Sequence, residues 1–143
     1  MKIRLVMLGK TRREEIRMLL GDYVKRIGRY AEIAVTEIRE ASPAALRKLK
    51  MEPGATLVLL DAGGHQFSSQ QFARWLGGLR DHAAREIVFL CGDAEGFPIE
   101  LRSLATQRIS LSSFTMPHEF ARVVLAEQIY RAFAILAGHP YPK

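Results

Sequence analysis

Three short segments in the second half of the chain place small residues at the ends of apolar runs. Leu57–Leu60 leads into Asp61-Ala62-Gly63-Gly64. Phe89-Leu90-Cys91 leads into Gly92-Asp93-Ala94-Glu95-Gly96. Ile109-Ser110 leads into Leu111-Ser112-Ser113-Phe114-Thr115-Met116, followed at once by Pro117-His118. Strand ends built from such residues let a ligand approach the backbone, and two of them at one edge of a parallel sheet form a binding crevice. Each glycine turn alone reads as no more than a turn. The ordered set of three, followed by Met116-Pro117-His118 and Arg122, points to a site. No metal-ligand spacing, Ser-His-Asp order or phosphate-binding glycine loop occurs, and Leu8-Gly9-Lys10-Thr11-Arg12-Arg13 lacks the dinucleotide-binding G-x-G-x-x-G.

Those segments need a framework, and the pattern supplies one of alternating strands and helices. Ile3–Leu8 reads as a buried strand. A helix is expected from Thr11 to about Arg29, with Thr11 as N-cap and Glu14 completing a capping box. Glu32–Arg39 has a strand's period of two. Ser42-Pro43 opens a short helix and Pro53-Gly54 makes a turn. Thr56–Asp61 is a strand that ends in Ala62-Gly63-Gly64, and Ser68 or Ser69 caps a helix running to about Ala84. Ile87–Cys91, Pro98–Ala105 and Arg108–Leu111 read as strand, short helix and short strand. Met116-Pro117 opens a long last helix that is almost unbroken in its apolar content from Ala121 to Ala137. Strands separated by helices make the fold class α/β, a mostly parallel sheet with helices on both faces. At 143 residues the chain is read as a single domain, 1–143.

Charge and composition narrow the partners. The first 50 residues hold 13 of the 21 Lys and Arg but only 6 of the 15 Asp and Glu, a net of +7, while the rest of the chain carries −1. Arg12, Arg13 and Arg17, then Lys25, Arg26 and Arg29, line the first helix. A basic face suits a polyanion, although a merely solvated helix has the same pattern. No apolar run is long enough to span a bilayer and no leader is read at Met1-Lys2-Ile3. The single Cys91 fits a reducing cytosol.

The last helix has few polar residues: Glu119, Arg122, Glu127, Gln128 and Arg131. Apolar residues fill more than one face, so it is expected to bury one face on its own sheet and another on a second subunit. Glu127 and Arg131 form a favourable i, i+4 pair, read first as a helix pair. His65 and His82 read as solvated. His118 begins the last helix, and His139 ends it, where a cation is favoured.

The wording and order of these segments, from Leu57 onward, resemble the small SPOUT-class methyltransferases that modify a pseudouridine in bacterial large-subunit ribosomal RNA, the RlmH (YbeA-like) family. The resemblance implies a C-terminal trefoil knot, an exception to the rule against knotted connections. It also implies S-adenosyl-L-methionine as cofactor, held by Leu60, Gly92, Leu111, Ser112, Ser113, Phe114, Thr115 and Met116. The expected reaction is methylation of N3 of a pseudouridine in 23S rRNA, within the large subunit or the assembled ribosome, by a cytoplasmic homodimer that uses no metal and no membrane. Arg122, His139 and Tyr141 are the candidate catalytic residues, expected to orient RNA beside Arg131 and Lys143. The chain departs from the family pattern at Asp93-Ala94, where a second glycine is usual, and at Pro142, where the family has a penultimate histidine. Another RNA such as tRNA, or a non-catalytic ribosome-binding role, remains an alternative reading.

Overall fold

A computed structural model of the chain describes residues 1–82, 84–92 and 96–142. Five parallel strands form one sheet in the order β2-β1-β4-β3-β5: β1 Lys2–Leu8, β2 Glu32–Ile38, β3 Thr56–Gln66, β4 Glu86–Cys91 and β5 Gln107–Ser110. The helices between them are α1 Glu14–Ile27, α2 Pro43–Lys48, α3 Ser69–Asp81, α4 Ile99–Leu104 and α5 His118–Leu136. The expected α/β class with helices on both faces is what is observed. β4 is central and buried along its whole length, Glu-Ile-Val-Phe-Leu-Cys, the near-continuous apolar run of a strand covered on both sides. β2 lies at an edge and keeps exposed positions.

Two cores flank the sheet. On one side α1, α5 and α3 pack over Ile3, Leu5, Met7, Val58, Ile87 and Phe89. On the other, the short helices α2 and α4 cover Val6, Leu57, Leu59, Val88 and Leu90 through Leu46 and Leu101. A Leu or Phe fully withdrawn from water contributes about 1.5–3 kcal/mol, so the alternation along β1 and β3 fixes which residue serves which core. α5 lies between α1 and α3, and Gly77 of α3 permits the contact: a Cβ there would sit 2.8 Å from Leu136.

Two local expectations are corrected. β3 does not stop at Asp61 but runs on through Ala62-Gly63-Gly64 to Gln66, with a register shift between Leu60 and His65, both of which face Ile109 of β5. Gly64 is not a turn residue. A Cβ on it would fall 2.6 Å from the Arg108 carbonyl carbon, so only glycine lets the two backbones approach. The second correction concerns α1, which begins at Glu14 rather than Thr11 and has no side-chain cap of its own. By contrast, α3 has the capping box read from Ser68, whose hydroxyl accepts from Gln71 N–H while Gln71 accepts from Ser68 N–H.

Candidate functional site

The ends of β3, β4 and β5 open on a cavity of about 520 Å³, within the range of small-molecule sites. Leu60, Gly92, Leu111, Ser112, Phe114, Thr115 and Met116 line it. Ser113, the remaining residue of the expected set, is exposed and lies outside the lining. Asp61, Ala62 and Gly96, from the expected segments, and His118, expected beside them, also line the cavity, whereas sequence reasoning did not single out Cys91, Ile109, Ser110 or Ala121, which line it too. Their only signal was adjacency to the three strand ends and the first turn of α5. Asp93, Ala94 and Glu95 lie outside the described residues, so the Asp93-Ala94 departure has no structural description here.

The loop after β5 is tied by its own short side chains. Ser110 Oγ donates to the Ser112 carbonyl at 3.0 Å, and Ser112 Oγ accepts from Phe114 N–H at 2.9 Å. Such local bonds fix a turn without secondary structure. They hold the Phe114 ring out at the rim, 84% exposed.

Gly92 has a reason beyond ligand approach. A Cβ there would lie 2.9 Å from the ring of buried Phe97, so the chain itself excludes a side chain at this point. Beside it, Cys91 is a buried thiol pushed up to about 12 by burial, against a smaller opposing pull from Arg122. It is a neutral apolar wall at physiological pH, not a nucleophile. Asp61 on the facing wall stays ionised. Burial raises its pKa, but the Gly63 N–H bond and the Arg108 guanidinium, 2.8 Å away, together outweigh burial and lower it.

The first turn of α5 also closes the cavity, and its charged residues face inward. Arg122 is 0% exposed. Its Nη1 donates to Thr11 Oγ1 at 2.8 Å and its Nη2 to the Leu8 carbonyl at 2.8 Å, while its Nε has no partner among the described residues. A side chain buried in this way fastens β1 and the following loop to α5 and offers no surface to RNA, which corrects the expectation that Arg122 orients it. Glu119 accepts from the backbone N–H groups of Arg12 and Arg13, both at 3.1 Å. The Arg13 N–H is the largest influence holding its carboxylate below the usual range. Glu119 therefore ties the segment just before α1 to α5, while no side chain caps α1 itself. A long-range carboxylate meets the positive end of α1. Thr11 is instead buried, donating its N–H to Glu37 at 2.9 Å.

The other candidate residues lie at the far end of the same helix. Eighteen residue steps along α5 make about 27 Å, and the cavity touches only its first turn. Tyr141 folds back there. Its hydroxyl donates to Glu127 Oε2 at 2.9 Å and lies 3.3 Å from the Tyr23 hydroxyl. The Arg131 guanidinium sits 5.1 Å from its ring centroid. Arg131 also donates to Glu127 at 2.6 and 3.1 Å, so the expected helix pair exists and doubles as the anchor of the tail. Burial, then the Tyr23 and Glu127 hydrogen bonds, raise the Tyr141 pKa and keep the phenol protonated. His139 is exposed at the helix end, with its backbone N–H donating to the Ala134 carbonyl. Lys143 lies outside the described residues. Within one chain, then, the cofactor-loop residues meet in one cavity, whereas His139 and Tyr141 do not join them.

No group of three His, Cys, Asp or Glu residues is placed to hold a metal among the described residues. In the same set, no helix is long and apolar enough to cross a membrane.

Residues 1–142 match the sequence profile of the family described as "Predicted SPOUT methyltransferase". The chain is 44% identical over 144 residues to the ribosomal RNA large subunit methyltransferase H of Koribacter versatilis (strain Ellin345), covering 99% of this chain and 97% of that one. It is 42% identical to the protein of that name from Geotalea daltonii, covering 99% of each. The identity to the one from Gloeobacter violaceus is 41%, with 99% and 98% covered.

Proposed function

The chain belongs to the SPOUT methyltransferase family, and from that premise we propose that it transfers a methyl group from S-adenosyl-L-methionine to N3 of a pseudouridine in 23S rRNA, as a cytoplasmic homodimer. The observation that carries the reading is the meeting of three strand ends in one cavity of about 520 Å³. The relatives' shared name, ribosomal RNA large subunit methyltransferase H, supports the substrate class. The C-terminal third is proposed to be threaded as a trefoil knot. The chain leaves β5 at the sheet edge, and α5 then crosses back to lie between α3 and α1.

The cavity suits such a donor on its own features. Leu60, Ile109, Leu111 and Met116 offer apolar walls for a heterocycle, and the strand ends bring backbone donors and acceptors with them. The ionised Asp61 on the wall suits a cationic ligand or ribose hydroxyls. When bound, S-adenosyl-L-methionine supplies an electrophilic methyl group on a positively charged sulfur.

The chain's own residues hold, orient and exclude water. The target N3–H must lose its proton as nitrogen accepts the methyl group, so an acceptor is required within reach. No residue is assigned to that role. Alignment of nitrogen with the methyl carbon supplies much of the rate in any such transfer.

The placement of the tail and the surface of α5 support the homodimer. His139 follows the far end of α5, and Tyr141, folded back onto Glu127, is absent from the lining of its own cavity, so the proposed role of the tail is to reach the cavity of a second copy. Val123 and Val124 remain half-exposed, and Phe120 and Ile135 exposed, which leaves α5 apolar surface for that contact. The test is to delete the gene, digest the 23S rRNA and weigh the fragments. Loss of one methyl group from a pseudouridine-bearing fragment, restored by the purified protein with S-adenosyl-L-methionine and ribosomes, is expected. An unchanged rRNA, or a methyl lost from tRNA instead, would contradict it.

A further inference from the structure

A second, polar groove of about 310 Å³ lies directly across β3 from the cavity. Gly63, Gly64, His65, Arg102, Thr106 and Arg108 line it. The wall is shared: Asp61 and Ala62 line the cavity, and the next three residues of the same strand line the groove. The linear charge tally hides this feature, because residues 51–143 carry a net of −1. Folding nevertheless brings Arg102 of α4 and Arg108 of β5 to one surface.

The two guanidinium groups are differently committed. Arg108 is bound to Asp61 at 2.8 Å and is still 40% exposed along its side chain. Arg102 is exposed and has no ion-pair partner among the described residues. One carboxylate therefore faces two guanidinium groups, and the groove keeps a positive charge. Gly64 contributes space, since its missing Cβ is what lets β3 lie flat on the Arg108 backbone. Planar guanidinium groups at a polar groove match the oxygens of a phosphate.

On the far side of the cavity, Glu119 holds the backbone of exposed Arg12 and Arg13 next to the α5 turn that bears His118 and Ala121. The backbone of Arg12 and Arg13 thus lies beside the α5 turn that closes the cavity, with the Arg13 guanidinium 3.1 Å from Glu15 and over the Phe120 ring. A strand crossing the cavity with its base directed inward would pass the Arg12-Arg13 segment on one side and the groove on the other.

The geometry points to this groove as a binding site for a backbone phosphate of the RNA substrate, next to the nucleotide whose base enters the cavity. It rests on the methyltransferase reading above and adds where the strand runs. Arg102 is the discriminating residue, because its loss leaves the Arg108–Asp61 pair and the cavity wall intact.

Binding of the full-length protein to purified bacterial 70S ribosomes should be measured across a potassium chloride series for wild type, Arg102→Gln and Arg102→Glu. Calorimetry with S-adenosyl-L-methionine accompanies each. One lost phosphate contact flattens the log–log salt slope by about one. Arg102→Gln should show that change with wild-type donor affinity, and Arg102→Glu should bind ribosomes more weakly still. Wild-type slopes in both variants would overturn the groove while leaving methyl transfer standing. A wild-type protein that binds no ribosome would overturn both. Inorganic phosphate alone should give no saturable shift of the His65 ring signals at sub-millimolar concentration. Saturation there, with ribosome slopes unaffected, would identify a free-anion site and overturn the assignment to RNA.

Discussion

The two ends of α5 carry the same kinds of side chain and use them differently. At the start, Arg122 and Glu119 are buried and spend their hydrogen bonds on Thr11, Leu8 and the first backbone amides before α1. From the middle of the helix onward, Glu127 and Arg131 stay partly exposed and hold Tyr141. The first pair fastens β1 and the segment before α1 to the helix turn whose His118 and Ala121 line the cavity. The second anchors a tail that does not reach its own cavity. Burial decides which role a charged residue takes here: an enclosed guanidinium ties elements together, a partly open one stays accessible to solvent.

The largest expected effect lies at the buried end. Arg122→Ala leaves the Leu8 carbonyl and Thr11 hydroxyl without their partner and opens a void, a combination that costs about 3–5 kcal/mol. Arg122→Lys should recover little, since an ammonium cannot span both acceptors. Thermal unfolding checks this, and for a chain of this size a melting point lower by roughly 6–20 °C is expected. A melting point within a degree or two of wild type would show that the two ends do not differ as described.

Tyr141→Phe sharpens the comparison from the other side. It removes the hydroxyl bonds to Glu127 and Tyr23 and should cost only about 0.5–1.5 kcal/mol. Methyl transfer to ribosomes should fall much further than stability, with S-adenosyl-L-methionine affinity unchanged. Parallel loss of stability and activity would instead make the tail a packing element.

Much of this difference could not be read along the chain. The helix–strand order and the Glu127–Arg131 pair were legible because each rests on local spacing, and the cavity-lining run from Leu111 was legible through the family resemblance. The start of α1 was not. Thr11 and Glu14 satisfy the capping-box spacing, yet α1 begins at Glu14 with no side-chain cap, and Glu119, more than a hundred residues later, binds the amides just before it. Arg122 looked like an RNA contact because an arginine in an apolar helix has no sequence mark of burial. Gly64 looked like a turn because the close approach of β3 to β5 is a tertiary fact.

Smaller effects test the cavity walls. Asp61 has a lowered pKa in the folded chain, so its contribution to stability is complete above the unfolded value near 4 and fades as pH falls through the folded one. Asp61→Asn should therefore cost stability at neutral pH and lose less than wild type on acidification below pH about 4, read from urea unfolding at several pH values. Cys91, pushed up to about 12 and buried, should react with iodoacetamide far more slowly than an open thiol near 8.5 at every pH between about 7 and 9, with no levelling-off near pH 8.5 to 9. A rate like that of an open thiol, levelling off near pH 9, would place Cys91 in solvent and the cavity wall elsewhere.

The most direct test joins the two ends across a dimer. Ala62→Trp should fill the cavity from β3 and abolish donor binding, and Tyr141→Ala should remove the tail contact. Homodimers of either variant should fail to methylate ribosomes. Mixed dimers, made by co-expressing the two with different affinity tags and purifying through both, combine one intact cavity with one intact tail from the other copy. They should recover about half the wild-type rate per dimer if the tail acts across the interface. Mixed dimers that form, bind S-adenosyl-L-methionine and remain inactive would contradict that arrangement.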